Sequence, residues 1–179
     1  MSLSLQESYE ILSECIINEA YQENGTIDGS FNGKKFTAKI KTDNPDSKLM
    51  SKVQSVIKTV GSISLYNYLY ESDKNFYRDE VNTDSYYDGK KIESGKDLMN
   101  SIEINHKNST IFVNDRRNTI YFCGEYWVDP EHGFSITFPG GKFVKADKAL
   151  YGELQLRKER YDSHWIPQFT FMGLYSDSL

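Results

Sequence analysis

Residues 101–146 read SIEINHKNSTIFVNDRRNTIYFCGEYWVDPEHGFSITFPGGKFVKA, and the period of this stretch decides the fold class. Apolar side chains alternate with polar ones through SIEINH, TIFVN, TIYFCGEYWV, GFSITF and KFVKA, the pattern of half-buried strands. Lys107-Asn108, Asp115-Arg116-Arg117-Asn118, Asp129-Pro130-Glu131-His132 and Gly140-Gly141 separate the runs. Connections this short join antiparallel neighbours, because a parallel return needs a dozen or more residues. The expectation is a meander of about five strands, the ordinary size of one sheet. Its alternation implies one apolar face and one more polar face.

Upstream the period lengthens. Leu5, Tyr9, Leu12, Ile16 and Ala20 recur at three- and four-residue steps and predict a helix from about Ser4 to Gln22, ending near Asn24-Gly25. Asn32-Gly33 then stands between two runs in which Phe36, Ala38 and Ile40 alternate with Lys35, Thr37, Lys39 and Lys41. Both turn residues tolerate positive φ, so a hairpin is predicted. Asn44 followed by Pro45 reads as a helix start, with Leu49, Val53, Val56 and Val60 as the buried stripe. Gly61-Ser62 either kinks this helix or separates it from a second, whose stripe would be Ile63, Tyr66, Leu69 and Tyr70 and whose end lies near Arg78. Residues 82–95 read as a loop and GKDLMNS as a short helix. Past Ala146, Leu150, Leu154 and Leu156 set no clear period, and the segment from Ile166-Pro167 reads as extended. The fold class is therefore α+β: N-terminal helices and a β-hairpin packed on a C-terminal antiparallel meander sheet. A length of 179 residues suits a single domain, 1–179, with a helix and hairpin part at 1–100, a sheet part at 101–146 and a C-terminal extension at 147–179.

Composition narrows the classes of function. An aromatic fraction of 14% argues against disorder. The opening MSLSLQESYEILSEC has neither a basic n-region nor an unbroken apolar core, and no later run is long and apolar enough to cross a bilayer, so the expectation is a cytoplasmic protein without a membrane partner. Cys15 and Cys123 have neither metal-like nor redox-like spacing and read as free thiols. A net charge of −5 disfavours nucleic acid, which rewards clustered Lys and Arg. No phosphate loop, paired-Cys motif or nucleophile elbow is present, and no cofactor is expected.

Asp129-Pro130-Glu131-His132-Gly133 admits two readings. As a turn, Pro130 fixes φ, the Asp129 carboxylate accepts from backbone amides two residues on, and Gly133 supplies positive φ where the next strand begins. As a catalytic or metal-binding pair, Glu131 and His132 would serve a small hydrolase or a metal-dependent enzyme. That reading lacks an orienting third residue, since His106 and His164 lie in other segments.

Trp127, Asp129, Glu131, His132 and Gly133, followed by an alternating strand, a Gly turn and another strand, resemble a bacterial family of uncharacterised domains. That family is marked by a Trp-x-x-Glu-His-Gly element in a C-terminal antiparallel sheet. LYNYLYESDKNFYRDE, a Tyr-rich helix before a loop, is similar to the family's layout, so the likeness spans roughly residues 45–145; Val128 directly after the Trp is a departure. The resemblance implies an immunity-like protein or an accessory protein encoded near polymorphic toxins, and so binding.

Charge gives an independent reason to expect binding. From Tyr70 to Asp88, six acidic residues stand against Lys74 and Arg78. Aromatic side chains are interleaved with them, a combination suited to a steered interface. Tyr70, Asp73, Tyr77, Asp79, Glu80 and Tyr86 are the expected contact residues. The sequence-level reading is a non-catalytic domain that binds another protein, in the manner of a toxin inhibitor with a basic target. An enzyme using Glu131 and His132, or a structural accessory domain, are the alternatives.

Overall fold

Asn32 and Gly33 have φ of 49° and 76°, the left-handed pair that a two-residue hairpin turn requires. They join β1 (Gln22–Phe31) to β2 (Lys34–Thr42) in antiparallel register, Phe31 opposite Lys34. The computed structural model describes residues 7, 10–12, 14–15, 18–104, 109–127, 134–141, 154–156 and 169–171. Four further strands follow in the order β3 (Ile102–Glu103), β4 (Thr110–Asn114), β5 (Thr119–Tyr126) and β6 (Phe134–Pro139). Two short strands, β7 (Leu154–Leu156) and β8 (Phe169–Phe171), come from the C-terminal segment. The class is α+β.

Strand order is β1-β2-β4-β5-β6-β8-β7, with β3 pairing the far end of β5. The antiparallel β4-β5-β6 succession follows the two-residue period. The hairpin does not pack on this sheet as the sequence suggested. It enters the sheet edge to edge, Lys39–Thr42 pairing in parallel with Thr110–Val113, and β8 likewise pairs β6 in parallel. Alternation reports a strand's faces and says nothing about which edge takes a partner. KFVKA, the expected fifth meander strand, lies outside the described residues.

A latch secures the parallel junction. Thr42 Oγ1 is 3.0 Å from both the Val113 and Asn44 carbonyl oxygens and accepts from the Asn44 N–H. Asp43 accepts from the Asp115 and Arg116 amides. The Asp115 carboxylate accepts from the Ser47 hydroxyl at 2.5 Å and from the Asn44 amide at 3.2 Å. Those bonds, Ser47's first and Asn44's second, hold the Asp115 carboxyl below the usual range.

Helices cover one face: α1 (Val53–Val60), continuing a 3₁₀ turn at Lys48–Lys52, α2 (Ile63–Phe76) and α3 (Gly95–Ser101). The cap before Leu49 is Ser47, whose hydroxyl accepts from the Leu49 amide; Asn44 instead makes an Asx turn to Asp46. Leu49, Val53, Val56 and Val60 are buried as their spacing requires, with Ile57 beside them. In α2, Tyr66 and Leu69 are buried, but Ile63 is 44% exposed and Leu65 takes the inward position. The buried Tyr66 hydroxyl donates to the Val60 carbonyl at 2.7 Å.

The opposite face of the central strands is also covered. Residues 7, 10–12, 14 and 15 are helical where described, with Ile11, Leu12 and Cys15 buried. Cys15 Sγ accepts from the Asn114 side-chain amide, and Tyr21 meets Phe112 edge-on. Phe112, Asn114, Thr119, Tyr121, Ser135 and Thr137 are consequently buried. The expected polar face is thus an interior face built from small or uncharged polar groups. This helix stops before Gln22, and Ala20 is exposed. Asn18 competes with further helix by accepting from the Ala20 amide through its side chain. Asn24-Gly25 lies within β1 at a register shift, with Gly25 at φ 83°.

Gly61 separates α1 from α2. A Cβ there would sit 2.1 Å from the Ser30 carbonyl oxygen, so the helix turn can approach the hairpin only without a side chain. Gly61→Ala is expected to cost about 1–3 kcal/mol in chemical denaturation, the range for overpacking against an immobile neighbour.

Candidate functional site

The helix α2 ends in a π turn at Tyr77–Val81, where the Asn82 N–H bonds the Tyr77 carbonyl at 2.8 Å. Tyr77 and Val81 are buried, and Arg78, Asp79 and Glu80 between them are exposed. This places Tyr77 in the core, stacked on half-buried Tyr70 at 5.9 Å and edge-on to Phe76. It therefore cannot be the surface anchor its sequence position suggested. A buried, stacked Tyr and an exposed one look alike in a Tyr-rich segment, because both fall among charges.

Asn82 closes the following loop at its base. Its side-chain amide donates to the Ile92 carbonyl and accepts from the Ile92 N–H, both at 2.8 Å. Nothing in the sequence marked this residue, although an Asn flanking a polar loop is suited to such pairing. Within the loop, Asp84 caps a 3₁₀ turn at Ser85–Tyr87 by accepting from the Tyr86 amide, and Asp88 takes φ 51°. Tyr86 is left 72% exposed. Behind it Tyr87 lies edge-on at 5.3 Å, and Tyr87 in turn meets Trp127 at 5.2 Å. The Lys90 ammonium sits 5.6 Å from the Trp127 ring centroid, within cation–π range.

Two features that were separate in the sequence, the acidic Tyr-rich segment and the Trp of the turn element, are thereby brought into one place. Asp79, Glu80, Asp84 and Asp88 are exposed along this ridge. The Arg78 guanidinium bonds Asp79 at 2.7 Å, and that hydrogen bond is the main cause holding the Asp79 carboxyl below its ordinary range. Of the other expected contact residues, Asp73 falls in α2 with its side chain outside the description. Asp129, Glu131, His132 and Gly133 also lie outside the described residues.

Both thiols are far from this ridge in sequence and neighbour the second sheet face. Burial pushes Cys15 up to about 12 and raises Cys123 as well. Among the described residues no group of three or more His, Cys, Asp or Glu could hold a metal ion, and no helix is long and apolar enough to cross a membrane.

No protein-family model, curated protein or solved structure matches this chain.

The edge-on cluster of Tyr86, Tyr87 and Trp127 makes a direct prediction. In a Trp165→Phe background, Tyr87→Ala is expected to shift Trp127 fluorescence to longer wavelength and to destabilise the chain by about 2–4 kcal/mol, as aromatic truncations at packed sites do.

Proposed function

We propose that this chain acts by binding another protein, and that the ridge from Tyr70 to Asp88 is its contact surface. One observation carries the reading: Tyr86, a large aromatic, stands 72% exposed on a loop that is clamped at its base by Asn82 and backed by Tyr87 and Trp127. An exposed aromatic held rigidly loses little entropy on docking, which is what makes such residues interface anchors. The acidic residues around it favour a basic partner and would speed its approach. No covalent chemistry is required of this surface. An inhibitor of a basic bacterial toxin, immunity-like in action, is the partner relationship that fits both the charge and the resemblance at Trp127.

The ridge divides kinetically into an anchor and a steering field. Tyr86→Ala is expected to raise the dissociation rate, at a cost of about 2 kcal/mol. The pair Asp79→Lys and Glu80→Lys is expected to slow association by about tenfold at low salt and to flatten its salt dependence. The measurement is a pull-down from the native host, followed by binding kinetics on the recovered protein. A partner lost with Tyr86→Ala and retained with substitutions on β1 supports the reading. A recovered partner indifferent to all three ridge substitutions contradicts it.

A further inference from the structure

Three aromatic rings are set one against the next at the end of the ridge. Tyr86 and Tyr87 meet at 5.3 Å with 84° between their planes, and Tyr87 meets Trp127 at 5.2 Å and 66°. Rings turned edge-on to their neighbours make a stepped surface rather than one flat face. Tyr86 is exposed, whereas Tyr87 and Trp127 are half-buried and packed against the core, so the outer ring stands on fixed inner ones. Charge is unequal along this line. Asp84, whose carboxylate accepts from the Tyr86 amide at 2.8 Å, and Asp88 are exposed around the two tyrosines, while the Trp127 end carries the Lys90 ammonium at 5.6 Å from the ring centroid.

Two common ways of taking up a peptide are closed here. Residues 77–92 contain no strand, and β5, which leads to Trp127, already pairs β4, β6 and, at its end, β3. No strand edge is free at the rings, and strand addition needs one. A neighbouring groove of about 740 Å³, between the hairpin tip, the end of α3, β3 and the end of β5, shares Trp127 with the ridge and mixes Lys34, Glu103 and Glu125 with Met99 and Ile102. Its described lining lacks the row of apolar sockets that a docking helix needs for anchors at i, i+4 and i+7.

We infer that Tyr86, Tyr87 and Trp127 receive a proline-rich segment of the protein partner in the polyproline II conformation, with a basic residue at its Tyr86 end. The inference rests on the protein-binding reading above and names the chemistry of the segment bound. A polyproline II helix needs no partner for its backbone and is already extended before it docks, so it binds aromatic surfaces at little cost in order. It returns the same face every third residue, roughly 9.3 Å along its axis. The two ring-to-ring steps from Tyr86 to Trp127, 5.3 and 5.2 Å, cover a distance of that order. Charge sets the direction: the acids favour Lys or Arg beside Tyr86, and Lys90 disfavours one at Trp127. Lys90 covers part of the indole in the free chain, and a cation–π contact at an exposed lysine is weak enough to be exchanged for a proline ring.

The probe is an acetylated, amidated peptide of six prolines and a C-terminal arginine, titrated into the full chain carrying Trp165→Phe while the Trp127 indole resonance is followed by NMR. Glycines in place of the prolines, and glutamine in place of the arginine, give the control peptides. Expected is a saturable shift with the proline peptide, about tenfold weaker binding for the glycine peptide, and a loss of about tenfold with Tyr86→Ala. Asp88→Asn keeps a residue tolerant of the φ of 51° at that position. It should weaken the arginine peptide about threefold and leave the glutamine peptide unchanged. Lys90→Ala should tighten binding about threefold by clearing the indole, with far-UV circular dichroism unchanged for all three variants. Equal binding of the glycine peptide, indifference to Tyr86→Ala, or no saturable shift overturns the inference. Tyr86-dependent capture of a partner without any peptide shift would overturn it alone and leave the protein-binding reading standing. A captured partner indifferent to the ridge substitutions would overturn that reading even where the peptide binds.

Discussion

Four residue pairs of parallel pairing, Lys39–Thr42 against Thr110–Val113, hold together parts of the chain seventy residues apart. The place of the hairpin beside the candidate interface depends on that seam. Without it the hairpin would be a two-stranded ribbon, a unit marginal in water on its own. With it, the apolar side chains Phe36, Ala38 and Ile40 join Ile111, Val113 and Phe122 in one core. The latch of Thr42, Asp43, Asn44 and Ser47 onto residues 113–116 supplies polar partners to backbone groups at the point where the chain leaves the sheet. Its acid sensitivity has a definite sign. Because the Asp115 carboxyl is held below its ordinary range, its contribution is present above the unfolded aspartate range and is lost as pH falls through the depressed value.

The seam also fixes the distant end of the hairpin. Phe31 packs edge-on against Tyr66 at 5.6 Å, and the Ser30 carbonyl is met by Gly61. Asn32 reaches Asn100, so the hairpin tip forms one side of the groove. On the other side, Trp127 connects the sheet to the loop that presents Tyr86. Groove and ridge are therefore positioned by the same packed framework. A surface fixed before it meets its partner keeps more of its contact energy as affinity.

Much of the fold was legible from local chemistry. Asn32-Gly33 specified its turn because only residues tolerant of positive φ serve there, and the stripe Leu49, Val53, Val56, Val60 specified a buried helix face. The β4-β5-β6 succession followed from alternation and short turns. What local pattern could not convey was non-local: which edge β2 would join, and that Tyr121, Ser135 and Thr137 would be covered. Small polar side chains fit a wet face or a satisfied interior equally well. The candidate site was half legible for the same reason. Charge and aromatic content marked the segment, but separating exposed Tyr86 from buried Tyr77 required the π turn, and the clamp from Asn82 to Ile92 spans a loop that no periodicity describes.

Native-state hydrogen exchange as a function of denaturant tests the central claim, that the hairpin is an integral part of the sheet. The Lys39 amide, bonded to the Ser109 carbonyl at 3.0 Å, reports the seam directly. The account predicts that it opens with the same free energy and denaturant dependence as the β4 and β5 amides, as one cooperative unit. Exchange of Lys39 through a separate, low-energy opening that leaves β4 and β5 protected would contradict it.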